Sequence, residues 1–147
     1  MKNNYVCTHY SAADLCFFDD FDELKKDLSI INKSFVTLGN PLKIGSSYVH
    51  FRDTILLAPA GLSTLEALGR LYNNEGDFSK RDISIEYKSR MSKFLADDKK
   101  GFEDYAIQDA VITLKHAISM EQFNLEIKQF GVPVTLASVG RNFVLES

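Results

Sequence analysis

The residues whose types and spacing could do chemistry stand in the stretch EDYAIQDAVITLKHA, residues 103–117. As a helix, this segment sets Tyr105 and Asp109 one turn apart on one face, with Ile112 and His116 continuing the line. Such a pair can hold a hard divalent cation on the carboxylate and a water against the phenol, which does not titrate near neutral pH. The same spacing also describes a half-buried tyrosine beside a solvated aspartate. Tyr10 and Asp14 repeat it, so spacing alone does not decide between the two.

The elements that must position these residues are legible from periodicity. A long helix is expected from about Phe102 to about Phe130, with a bend allowed near Met120-Glu121; Gly131 and Pro133 stop it, and Asp97–Gly101 form a break before it. Tyr5–Thr8 reads as a very short strand ending at His9-Tyr10. From Asp14 to about Leu28 the apolar positions Leu15, Phe18, Phe21, Leu24 and Leu28 predict one helix or two short ones, with Asp19, Asp20, Asp22 and Glu23 as a solvated face. Phe35–Leu38, Leu42–Ile44 and Tyr48–Phe51 read as strands, divided by the turn Gly39-Asn40-Pro41 and by Gly45, and an antiparallel hairpin is their natural arrangement. After the strand, Asp53 or Thr54 is expected to cap backbone amides. Ser63-Thr64-Leu65-Glu66 has capping-box spacing ahead of the helix LEALGRL. Residues 72–82 are polar loop, Ile85, Met91, Phe94 and Leu95 suggest another helix, and Thr135 caps one more short helix in the tail.

With 147 residues the chain fits a single domain over 1–147, and 45% hydrophobic content with 11 phenylalanines marks it as globular rather than disordered. A formal charge of −3 gives no overall pull toward nucleic acid, so a DNA contact would need a local basic patch or a metal ion. Cys7 and Cys16 have no second ligand pair near them and read as buried reduced thiols. Lys99 and Lys100 read as a solvated loop. No long apolar run marks a signal peptide or a membrane span, which makes a cytoplasmic setting the default.

Three ordered blocks together carry a family resemblance. His9-Tyr10-Ser11-Ala12-Ala13-Asp14, then Phe51-Arg52-Asp53-Thr54 with Leu56–Pro59 and Leu65–Gly69, then Tyr105-Ala106-Ile107-Gln108-Asp109 resemble the 3′–5′ proofreading exonuclease domain of family B DNA polymerases, of the plasmid and mobile-element type. The resemblance spans residues 5 to about 143, and 131–147 looks like the start of the connection toward the polymerase region. It implies an α/β, partial ribonuclease-H-like fold, helix-rich with a small sheet and a long helix late in the chain. It implies Asp14 and Asp109 as ligands of two Mg²⁺ or Mn²⁺ ions and Tyr105 as the group orienting the attacking water. It also implies His9 as a contact to the 3′-terminal nucleotide, with single-stranded DNA as the substrate.

One departure limits what is expected of the chain. The family's first motif, Asp-x-Glu, should precede Asp14, yet residues 1–13 contain no aspartate or glutamate and the sequence holds no Asp-x-Glu. Two of the four cage carboxylates are thus lacking, and the chain alone is expected to bind metal weakly and to hydrolyse little. The alternative is a non-catalytic interaction module that keeps part of this architecture and completes its sheet with the rest of a polymerase or with another copy through an open strand edge. An unrelated α/β domain, with Tyr105 and Asp109 as ordinary surface residues, is the third reading.

Overall fold

A computed structural model describes residues 2–16, 19–31, 34–38 and 41–146, with the backbone alone for 24, 27–31, 34–38 and 146. Strand β1 (Lys2–Thr8) runs parallel to β5 (Ser47–Asp53), pairing Tyr5 with His50 and Thr8 with Asp53. Strand β4 (Leu42–Ile44) returns antiparallel on β5 through a turn at Gly45, whose φ of 60° suits a residue without a side chain. The sheet order is therefore β1-β5-β4. The expected hairpin is β4-β5, while β3 (Ser34–Leu38) pairs elsewhere, antiparallel with β2 (Leu28–Ile31).

Strand β2 corrects the helix expected to reach Leu28. Helix α1 (Ser11–Leu15) and helix α2 (Phe21–Asp27) are separate, and the chain passes from Asp27 straight into Leu28-Ser29-Ile30-Ile31, where adjacent β-branched residues favour a strand. Phe18 and the Gly39-Asn40 part of the expected turn lie outside the described residues.

After β5, Thr54–Leu57 forms a 3-10 turn, and helix α3 (Leu65–Leu71) follows. The cap of α3 is Thr64, whose hydroxyl accepts from the Ala67 amide at 3.2 Å, one residue later than the capping-box spacing suggests. The polar loop 72–84 leads to α4 (Ile85–Ser89) and α5 (Met91–Asp97), two short helices in place of one. Gly69 of α3 lets the Phe78 carbonyl of this loop come in where a Cβ would collide with it.

The long helix α6 (Lys99–Glu126) is uninterrupted through Met120. It starts earlier than expected because Asp98 accepts from the Gly101 amide at 2.9 Å, so the break narrows to Asp98 itself. It ends before Phe130, as Lys128 turns left-handed at φ 58° and Gly131 at φ 79°. Helix α7 (Leu136–Glu146) closes the described chain, with the Thr135 hydroxyl accepting from the Ser138 amide as its cap.

Leu57, Ala117 and Val132 form a core cluster against which Tyr5, Cys7 and Met120 pack, so β1, the 3-10 turn and α6 share one interior. At the other end of α6, Phe94 stacks on Tyr87 with centroids 4.5 Å apart and meets Phe102 and Tyr105 edge-on. Cys7 and Cys16 are free thiols; Cys7 is half-buried, but Cys16 is exposed, against the expectation that both are interior. Asp19, Asp20, Asp22, Glu23, Lys99 and Lys100 are solvent-facing. Among the described residues no helix is long and apolar enough to cross a membrane.

Candidate functional site

The site is assembled from the end of β1 and the start of α1. Strand β1 delivers His9, and α1 carries Asp14 one turn beyond its own start. Between them Tyr10 takes a left-handed backbone, φ 73°, which a lone residue of this type adopts only when its surroundings hold it. Buried Asp53, 1% exposed, does the holding. Its Oδ1 accepts from the amides of Tyr10 (2.9 Å) and Ile55 (3.1 Å), and its Oδ2 from the Ser11 amide and hydroxyl, both at 2.8 Å. One carboxylate thus caps both α1 and the 3-10 turn, the structural role expected for Asp53-Thr54.

His9 is fixed at both ring nitrogens. Its Nε2–H donates to the Ser63 carbonyl at 2.9 Å, and Nδ1 lies 3.0 Å from the Thr54 hydroxyl, which also reaches the Thr8 carbonyl at 2.9 Å. Burial holds its pKa below the ordinary histidine value, despite the opposing Ser63 hydrogen bond and the Asp53 charge. In the neutral ring, Nδ1 and the Thr8 carbonyl compete for the single Thr54 proton.

Helix α6 supplies the opposite wall. Tyr105 and Asp109 are half-buried on it, whereas Ile112 and His116, next along the same line, are fully in the core. His116 donates from Nε2 to the Leu57 carbonyl at 3.1 Å and accepts at Nδ1 from the Tyr72 hydroxyl at 2.7 Å, which ties α6 to the 3-10 turn and to the end of α3. His9, Asp14, Tyr105 and Asp109 all line one cleft of about 560 Å³, together with Tyr5–Thr8 of β1. The Asp14 carboxyl is pushed above the usual carboxylate range, first by desolvation and then by repulsion from Asp53, with Asp109 adding to it. Cys7, also on the cleft, is pushed up to about 11 by burial, so its thiol stays protonated and is no nucleophile at neutral pH.

A residue with no signal in the sequence completes the arrangement. Lys80 Nζ donates to both oxygens of Asp109, at 2.9 and 2.6 Å, and sits 4.9 Å from the centre of the Tyr105 ring. Both side chains of the ion pair are 25% exposed. Burial pulls the Lys80 pKa down, but the hydrogen bond and charge of Asp109 outweigh it and the net shift is upward. Lys80 arrives there because buried Gln108 donates to the carbonyls of Asp77 and Ser79, anchoring the loop just before it. Lys80 and Asp109 stand 29 positions apart, one in a loop and one on α6, so no local spacing could mark the pair.

This donor set is not a complete cage for two divalent cations. Such ions take six or more oxygen ligands, whereas here Asp109 has both oxygens on an ammonium, and no group of three or more His, Cys, Asp or Glu side chains among the described residues could hold a metal ion.

Over 95 residues the chain is 33% identical to the primer-independent DNA polymerase PolB of Escherichia coli. The chain is similar to a DNA polymerase. The match takes in 63% of this chain and 10% of that protein, so the chain spans about a tenth of the length of the curated relative it matches. No family model matches the chain. No solved structure matches it either. The likeness links the chain to a polymerase, and the mixed fold of helices around a small sheet is compatible with the α/β class.

Proposed function

We propose that this chain is part of the 3′–5′ exonuclease domain of a family B DNA polymerase, and that its cleft receives the 3′ end of single-stranded DNA. The observation that carries the reading is convergence: His9 and Asp14 lie some ninety residues before Tyr105 and Asp109, yet all four line one cleft. Asp14 and Asp109 are its proposed metal-binding carboxylates for Mg²⁺ or Mn²⁺, and Tyr105 its proposed water-orienting group. His9, with both nitrogens engaged, would meet a terminal nucleotide through its ring rather than through a free nitrogen. The cleft supplies half of the carboxylates that two-metal hydrolysis of a phosphodiester uses, so we propose that the chain hydrolyses little by itself.

The test is reconstitution. The chain alone, and the chain joined to an upstream segment bearing Asp-x-Glu, are incubated with end-labelled single-stranded DNA and Mn²⁺. Degradation from the 3′ end is expected in the joined protein and not in the isolated chain, and Asp109→Ala should abolish it. Nuclease activity that survives Asp109→Ala would overturn the assignment. The second reading, a non-catalytic interaction module, is favoured by the edge position of β1, which among the described residues pairs with β5 alone.

A further inference from the structure

A second cavity, of about 380 Å³, opens where the loop before α4 meets α5 and the first turns of α6. Its size falls within the ~300–1,000 Å³ of small-molecule sites. Tyr105 lines it as well as the cleft, and is the one described residue common to both linings. The walls are aromatic. Tyr87 lies flat on Phe94, with ring centroids 4.5 Å apart and planes 14° from parallel, and Tyr105 stands edge-on to Phe94 at 6.3 Å and 69°. Phe94 is only 3% exposed, so the corner these three rings make is fixed by the interior and not by mobile side chains.

The polar groups around this corner carry an excess of one sign. Asp82, Asp98 and Asp104 line the cavity against Arg81 alone. Arg81 is paired with Asp77 at 2.9 Å, and Asp82 with Lys88 at 2.8 Å. Asp98 accepts from the Gly101 amide through Oδ1, which leaves Oδ2 for a further donor, and Asp104 has no hydrogen bond or ion pair among the described residues. A helix start attracts anions, but Asp98 and Asp104 already stand at that of α6, and what they leave over favours a cation.

We propose that this cavity binds a flat organic cation of the guanidinium class, its plane against the tyrosine rings and its N–H groups on Asp104 and on Oδ2 of Asp98. A guanidinium answers both features of the lining at once. Its weakly hydrated face stacks on an aromatic ring, and its edge donates to carboxylates in the same plane. An ammonium is compact and strongly hydrated and would use the carboxylates alone, whereas a neutral ring would use only the walls. The group reaches the cavity on a free small molecule or as an arginine side chain of another polypeptide; the chemistry that recognises it is the same. Through Tyr105 the cavity adjoins the cleft, so a bound guanidinium covers part of the residue proposed there to orient water. The binding itself rests on the cavity and not on hydrolysis.

The experiment titrates isotope-labelled full chain with agmatine, with N-acetyl-arginine amide and with N-acetyl-citrulline amide, the neutral isostere of the second, and follows amide and ring resonances. Both guanidines are expected to give saturable shifts concentrated at residues 81–87 and 94–105, and the citrulline compound to bind about tenfold or more weakly. The tighter of agmatine and the arginine amide names the source, a free small molecule or a polypeptide side chain. Asp104→Asn should weaken guanidinium binding by about threefold to tenfold, and Tyr87→Leu by about threefold. Circular dichroism checks the fold; Asp104 is exposed, so its variant keeps the test open if Tyr87→Leu does not fold. Three results would overturn the proposal: neither guanidine gives saturable shifts at these residues in the millimolar range, the citrulline amide binds as tightly as the arginine amide, or Asp104→Asn binds undiminished. None of the three depends on nuclease activity, so the two proposals fail separately.

Discussion

Asp53, buried behind the Tyr10-Ser11 backbone, and Asp109, lining the cleft on α6, are two carboxylates that the molecule treats in opposite ways. Asp53 is out of solvent and receives backbone amides and a hydroxyl from its neighbours, groups that cannot leave without unwinding α1 and the 3-10 turn. Asp109 is a quarter exposed and is matched by one ammonium on a flexible stem. The difference separates a carboxylate that builds the fold from one that the fold makes available. Sequence reading separates them in the same sense, Asp53 as a cap after a strand and Asp109 as the acidic member of the Tyr105 pair.

Replacing each carboxylate sharpens the contrast, and Asp53→Ala should have the largest effect. It strips a buried anion from donors that then have no acceptor, a loss of about 3–5 kcal/mol by analogy with broken buried pairs. Urea denaturation should show the midpoint falling steeply or the chain failing to fold; a loss no larger than that of Lys80→Ala would break the comparison. Lys80→Ala should cost about 1 kcal/mol, because the carboxylate it abandons can hydrate through the cleft.

The pH dependence is the next largest effect. Burial lowers the pKa of His9, His116 and His50 in the folded chain, so the unfolded chain binds more protons just below the ordinary histidine value of about 6.5. Their contribution to stability is therefore complete above that value and is lost as pH falls from it through the lowered values of the folded chain. Urea midpoints measured at about pH 7.5 and about pH 5.5 should be lower at the acid value. In His9→Gln that difference should shrink; an unchanged difference would exclude His9 as a contributor.

Asp14→Asn should have the smallest effect and the opposite sign. The Asp14 pKa is raised in the folded chain, so its ionised form is disfavoured there, and removing the charge should raise the thermal midpoint slightly at neutral pH. A fall in the midpoint would show Asp14 to be a structural anion like Asp53.

Much of the frame was legible in the sequence for local reasons. Helix α3 follows from its apolar spacing and capping hydroxyl, β4 and β5 from alternating residues around Gly45, and α6 from a long apolar pattern that Gly131 closes. The misses fall where a residue's neighbour in space decides. Leu28 continues a helical pattern yet joins β2, because its pairing partner Leu38 is ten residues away. His9, Asp14, Tyr105 and Asp109 could be named from ordered blocks resembling a known family, and the cleft that gathers them is what the fold adds. Lys80 was hidden inside a polar loop, since nothing in Ser79-Lys80-Arg81 distinguishes it from any solvated lysine.

That loop has one more consequence. It is stapled to the body on two sides of the lysine's approach, by the close contact of the Phe78 carbonyl with Gly69 and by Gln108 on the carbonyls of Asp77 and Ser79. The entropy of ordering it is already spent when the chain folds. Asp109 can therefore exchange its counter-ion by rotation about the side-chain bonds of Lys80 alone, a motion of nanoseconds, with no loop to open and none to close again afterwards.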